Sequence, residues 1–403
     1  MNLAASQLAT GPHSRRPVGW WLLAVALLIA AMVVIGGLTR LTGSGLSITE
    51  WDPIIGVIPP VSQADWIDAF HKYQRIPQYL HEHRGMALEQ FQFIYWWEWT
   101  HRLLGRLIGF VFLLPFLLFV WTGAIARRDI PRMVVLFALG GLQGFVGWWM
   151  VQSGLETRVS VSQYRLAIHL GVALLLFAAI LWAALTYLRT PSPPLRGRGQ
   201  GEGAIRAQNS EDRNQNERQV ESNSDFRLLS SGFRTPPHPN PLPHMRWGEG
   251  VHFAFAFAAL VYLQMLLGAL VAGLHAGLIY NTWPTMDGRF LPEHPFFNVP
   301  WWINFFDNPG LVQFDHRMGG YIVAMVAFVM WWNGSRHLTS TSIRMTAHAI
   351  LFFTTIQIAL GIETLLNQAP ILLSALHQLT ALALLSGALW HAFELRRSYA
   401  ARA

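Results

Sequence analysis

The chain has 403 residues, of which 52% are hydrophobic and only 13% charged; it carries 18 tryptophans, no cysteine and a net charge of +7. Soluble domains average about 25% charged residues, so this composition, with its positive mean hydropathy, excludes an ordinary soluble protein and defines a polytopic membrane protein. The missing cysteine excludes any thiol or disulfide relay, and the positive charge gives no reason to invoke nucleic acid, because no folded basic domain carries it.

Residues 1–17 read as a short N-terminal segment ending in Arg15 and Arg16. The apolar run from about Val18 continues to Gly37 without a small-residue cleavage site, so it is expected to be a retained first span. Further runs, each near the roughly 20 residues that cross a bilayer, start about Leu103, Pro131, Leu166, Val251, Met318, Met345 and Ile371. The predicted fold is all-α, with eight transmembrane helices arranged as two four-helix-bundle repeats. Each half has an even number of spans, so the halves, 18–189 and 251–395, are parallel and related by a pseudo-two-fold axis along the membrane normal. Residues 396–403 are a tail.

Basic residues favour the cytoplasm when they flank a span in a short segment. Arg127, Arg128 and Arg132, then Arg336 and Arg344, then Arg396, Arg397 and Arg402 fall on the same side as Arg15 and Arg16. Both termini are therefore expected to be cytoplasmic. The opposite side carries two long loops, about Thr39 to Trp97 and Leu274 to Asp315, in which Leu88, Phe91 and Tyr95 have the spacing of an amphipathic surface helix. Residues 190–250 are rich in Pro, Gly, Arg, Ser, Asn and Gln and read as a disordered cytoplasmic linker, dispensable to the fold.

The two halves repeat. His316 follows His101 by 215 residues and His377 follows His169 by 208; Gln143 and Gly147 recur as Gln357 and Gly361 after 214, and Gly45, Leu46 and Trp51 as Gly277, Leu278 and Trp283 after 232. Self-similarity at a fixed offset is the mark of a duplicated unit. His101, His169, His316 and His377 all fall where the second and fourth spans of a half leave the outer face. A single histidine there is as readily an interfacial polar residue as a ligand, but four at duplicated positions point to two imidazole pairs holding haem iron inside a bundle. His348, His391, His13, His238, His244 and His275 lack this pattern. His81 and His83 flank Glu82 in a loop and read as a surface cluster rather than a metal site.

The halves also differ. Glu98 stands three residues before His101, on the same helical face, where the second half has Gln313. A carboxylate beside a haem can exchange a proton or stabilise positive charge on the ring edge; the alternative is an interfacial carboxylate paired with Arg102 or Arg106. Arg40, Arg84, Arg102, Arg165 and Arg317 lie near the outer ends, where a guanidinium fork suits haem propionates.

The segment Gly36-Gly37-Leu38-Thr39-Arg40-Leu41-Thr42-Gly43-Ser44-Gly45-Leu46-Ser47, the Glu98-x-x-His101-Arg102 motif and the four histidines resemble the haem A synthase family, over nearly the whole chain except the central insert. Without cysteine, the chain is similar to that family's cysteine-less class. The resemblance implies oxidation of the C8 methyl of haem O, through successive hydroxylations, to the formyl group of haem A for cytochrome oxidase. It implies that His101 and His169 flank substrate haem O with Glu98 assisting, and that His316 and His377 ligate haem b, an electron relay. It also implies a bacterial inner-membrane location, an electron donor and partnership with the enzyme that makes haem O, while the expected topology puts the haem sites toward the outer leaflet. A homo-oligomer stays open. Two rivals from other classes remain: a dihaem b-type electron carrier, against which four ligands on one side argue, and a parallel-repeat transporter, which predicts no bound pigment.

Overall fold

The computed structural model describes residues 15–52, 55–156, 158–189, 247–337 and 340–400. Among the described residues the architecture is all-α, with no strand beyond one isolated bridge between Met286 and Arg289. Eight helices have 26 or more residues: α1 (Arg16–Leu41), α4 (Leu88–Trp121), α5 (Ile130–Leu155), α6 (Gln163–Arg189), α7 (Trp247–Gly273), α9 (Pro309–His337), α10 (Thr341–Leu366) and α11 (Ile371–Ala400). Three shorter helices, α2 (Gln63–Tyr73), α3 (Pro77–His81) and α8 (Asn304–Asp307), lie in the two long loops.

Seven of the long helices are long and apolar enough to cross a membrane, consistent with an integral membrane protein. The exception is α9, where Gln313, Asp315, His316 and Arg317 crowd the second turn and lower its hydropathy.

Local signals set several ends. Proline at N1 or N2 starts α1, α3 and α5, where its missing N–H costs nothing. Ser62 caps α2 by accepting from the Asp65 N–H at 3.1 Å, while the Asp65 carboxylate accepts from the Ser62 N–H at 2.9 Å. After α1 the chain reverses through Gly43 at φ +66°, a left-handed conformation that glycine adopts without strain.

The structure corrects three boundaries. Leu88, Phe91 and Tyr95 do not form a separate surface helix: they are the first turns of α4, which runs unbroken because no breaker intervenes before Pro115. Their apolar face is covered instead by the outer loop, with Phe91 fully buried against Phe70 and Tyr73 of α2. The linker expected over 190–250 lies outside the described residues as far as 246, and residues 247–250 form the first turn of α7. The tail expected from 396 begins inside α11.

The core has a clear division. In α1, α6, α7 and α11 a third or more of the apolar window is buried, against 11% in α4, α5 and α10. The four inner helices pack together, α1 on α6 and α7 on α11 within each half, α6 on α7 and α1 on α11 between halves. Polar ties cross this seam: Gln378 donates to the Val33 carbonyl at 3.0 Å, Gln163 to the Asp307 carboxylate at 2.5 Å, and Arg189 lies 3.3 Å from buried Glu394.

Candidate functional site

Three of the four histidines stand at nearly the same register in their helices. His169 and His377 stand six residues into α6 and α11, and His316 seven into α9; His101 lies thirteen into α4, the longest helix, which starts further upstream of its histidine. Each ring is seated on a glycine of the preceding long helix. A Cβ added at Gly36 would lie 2.9 Å from Cε1 of His101; at Gly147, 2.8 Å from that of His169; at Gly268, 3.2 Å from that of His316; and at Gly361, 2.9 Å from that of His377. A methyl group at any of these positions therefore presses on the ring. Gly147 and Gly361 belong to the repeat visible in sequence; Gly268 was missed, although it follows Gly36 by the same 232 residues that separate Gly45 from Gly277.

The structure brings His316 and His377 together as predicted. The His316 and His377 rings have centroids 6.4 Å apart at 77°. Imidazole–metal bonds of about 2 Å on each side account for about 4 Å of that separation, so one metal atom fits between the rings. His101 and His169 are seated in the same way, on Gly36 of α1 and Gly147 of α5. Nδ1 of His101 and of His377, with the amide oxygens of Gln143, Gln264 and Gln357, are buried without a hydrogen-bond partner. Such groups are costly in an apolar interior unless something satisfies them, and paired axial imidazoles in a bundle fit haem. Among the described residues no cluster of three or more His, Cys, Asp or Glu offers another kind of metal site. His83, read from sequence as part of a surface cluster, is half-buried, with its Nδ1 2.6 Å from the buried Tyr73 hydroxyl.

Glu98 is 3% exposed and fully engaged. It accepts from the Ser47 hydroxyl at 2.8 Å, the Ile48 N–H at 2.9 Å, and Nε and Nη2 of Arg102 at 3.0 and 2.6 Å. The pairing with Arg102 raised as the alternative thus exists. In the second half the same contact has inverted polarity: Gln313 donates to the Tyr280 carbonyl at 3.2 Å, 232 residues after Ile48. The arginines complete a duplicated clasp on the outer loops. Arg102 donates to the carbonyls of Ile48 and Glu50, and Arg317 to those of Tyr280 and Thr282. Of the other arginines considered for propionates, Arg165 donates to the Trp149 carbonyl and lies over its ring, and Arg40 donates to the Ala272 carbonyl across the seam. Arg84 is exposed.

The fold and the site define an all-helical integral membrane protein that carries four half-buried imidazoles, each ring on its own glycine. The chain belongs to the cytochrome oxidase assembly protein family, which it matches over residues 19–208 and 237–389. It is 42% identical to haem A synthase of Parvibaculum lavamentivorans over 94% of each chain, and 42% identical to that of Nitrosospira multiformis over 95% of this chain and 94% of the relative. Haem A synthase of Bradyrhizobium diazoefficiens is 43% identical over 92% of this chain and 89% of its own.

Proposed function

We propose that this protein is a haem A synthase, an integral membrane enzyme that oxidises the C8 methyl of haem O to the formyl group of haem A through successive hydroxylations. The observation that carries this reading is the set of four imidazoles on glycine seats, in a chain whose near-full-length relatives are haem A synthases. Haem O is the substrate of the first half, between His101 and His169. His316 and His377 hold haem b in the second.

Haem b, when bound, supplies one-electron chemistry. The chain's own residues bind, orient and charge the site. The glycine seats fix the ring planes, and the Arg102 and Arg317 clasps hold the outer loops against the helices that bear His101 and His316. Glu98 carries a negative charge one helical turn from His101, held by four donors before any reaction occurs. That preorganisation supports the electrostatic role, stabilising positive charge as it develops on the substrate ring, over that of a freely moving proton carrier. Gln313 at the matching position has no charge, as a half with only an electron-relay role requires.

Charge asymmetry supports α9 as the eighth span and both termini on the cytoplasmic side of a bacterial inner membrane. The histidines then lie in the outer leaflet, beneath the long loops. The two halves are parallel repeats, and the equivalent clasps and seats support that relation. A haem O synthase supplies the substrate and a separate donor the electrons.

The test is to extract haems from membranes of cells that make haem O, with and without this chain, and identify them by chromatography and mass. Haem A is expected only with the chain. Bound haem b with no conversion, despite haem O and reductant, would instead support a dihaem electron carrier.

A further inference from the structure

Three of the four histidines have a glutamine amide against them. Gln143 of α5 donates to the His169 carbonyl at 3.0 Å and lies 3.1 Å from Nδ1 of the ring. Gln357 of α10 lies 3.3 Å from Nε2 of His377. Gln264 of α7 donates to the His316 carbonyl at 2.7 Å and lies 3.1 Å from its Nδ1. At His101 the buried Nδ1 has no partner.

The slot that Gln264 fills exists in both halves. Its amide lies against Gly319 and Gly320 of α9: a Cβ on Gly319 would collide with Oε1, and one on Gly320 would come 3.7 Å from Nε2. The residue 232 positions earlier is Met32 of α1, and its methyl lies 3.0 Å from a Cβ built on Gly105, the counterpart of Gly320. One slot therefore holds an amide beside His316 in the second half and, in the first, a thioether against Gly105, four residues after His101. An outer-shell group that grips a metal ligand typically changes metal affinity by about 10–100-fold. A thioether is a weak acceptor on a flexible stem and supplies no such grip.

We propose that Gln264 is the positioning residue that makes the second-half haem permanent, and that Met32 in the same slot leaves His101 the releasable ligand of the first. The inference rests on the reading of the halves as substrate and resident haem sites. A substrate haem must leave as product after each conversion and a resident haem must not. The difference at this slot supplies that distinction, while a glutamine amide stands against His169 and His377 alike, Gln143 in the first half and Gln357 in the second.

The experiment replaces each residue by the other. Gln264→Met and Met32→Gln are purified in detergent from cells that make haem b and haem O, then challenged with apomyoglobin as haem acceptor. Haem b is counted separately from haems O and A by chromatography, and the retained haem b is characterised by its spectrum and midpoint potential. Gln264→Met is expected to release haem b at least about tenfold faster than the parent and to shift its potential, whereas Met32→Gln is expected to hold haem O or haem A about tenfold longer. A merely structural role would not move retention in opposite directions. Unchanged release in both variants overturns the inference. If Gln264→Met does not assemble, Met32→Gln decides alone, since unchanged release of haems O and A from it overturns the inference too. His316→Ala serves as the separate control: haem b retained there would refute the assignment of the halves, whatever the two exchanged variants do.

Discussion

Gly361 has no side chain of its own, yet it fixes where the His377 ring sits, because a Cβ there would lie 2.9 Å from Cε1. Gly361→Ala is expected to lower haem b retention by about tenfold or more, whereas Gly144→Ala, with nothing within 4 Å of its Cβ position, is expected to leave it unchanged; haem content of the purified variants checks both. Glu98 argues the same point through charge. Glu98→Gln keeps the size and part of the hydrogen bonding but removes the charge that faces Arg102. It is expected to retain haem b while haem A formation falls by about 10²–10³, the scale for losing a preorganised electrostatic group. His316→Ala is expected to lose haem b itself, and equal pigment loss in both variants would overturn the unequal roles of the halves. Glu98 was legible in sequence as a difference between repeats. Its four donors were not, since Ser47 and Ile48 lie about fifty positions away and only folding of the outer loop brings them there.

At the scale of the element, the outer loops owe their order to local chemistry as well as to packing. Loss of the Ser62 cap in Ser62→Ala is expected to cost about 1 kcal/mol of local helix stability, read as faster amide exchange over 63–73. The Asp65 carboxyl is held below its ordinary value first by the Ser62 N–H and then by the Ser62 hydroxyl. A lowered carboxylate value means that its stabilisation is present above about pH 4 and is lost as pH falls through the folded value, so the same helix is expected to fray in acid. His275 works at higher pH. Burial, and then the positive charge of Arg40, hold its imidazole below the ordinary histidine value, and Arg40 donates to its Nε2 at 2.6 Å across the seam. The neutral ring is therefore favoured in the fold, and its contribution is present above about pH 6.5 and lost as pH falls through the lowered value. His275→Gln is expected to flatten the pH dependence of thermal unfolding between pH 8 and 5.

For the whole molecule, the seam of α1, α6, α7 and α11 makes the two halves one body, tied by Gln378 to Val33, Gln163 to Asp307 and Arg189 to Glu394. None of these ties involves the insert between the halves, and the family match itself breaks between 208 and 237. Replacing residues 195–242 by a short Gly/Ser linker is expected to leave haem content and haem A formation within about twofold of the parent, measured on membranes from the same cells. A complete loss of pigment would mean that the insert takes part in the fold.

The all-helical membrane class, the paired histidines and the Glu98/Gln313 difference were all readable from the chain, because they rest on composition, apolar run length and fixed offsets, which are properties of the sequence itself. Element ends were less legible. Apolar runs mark where lipid begins, whereas α4 and α9 continue beyond it for as long as backbone hydrogen bonds and loop packing sustain them. The glycine seats, the inverted Glu98 and Gln313 clasps, and the exchange of Gln264 for Met32 in one slot were decided only by the tertiary structure. Each depends on two helices meeting at a particular rotation, and the offset between halves shows that two residues are equivalent without showing what either one touches.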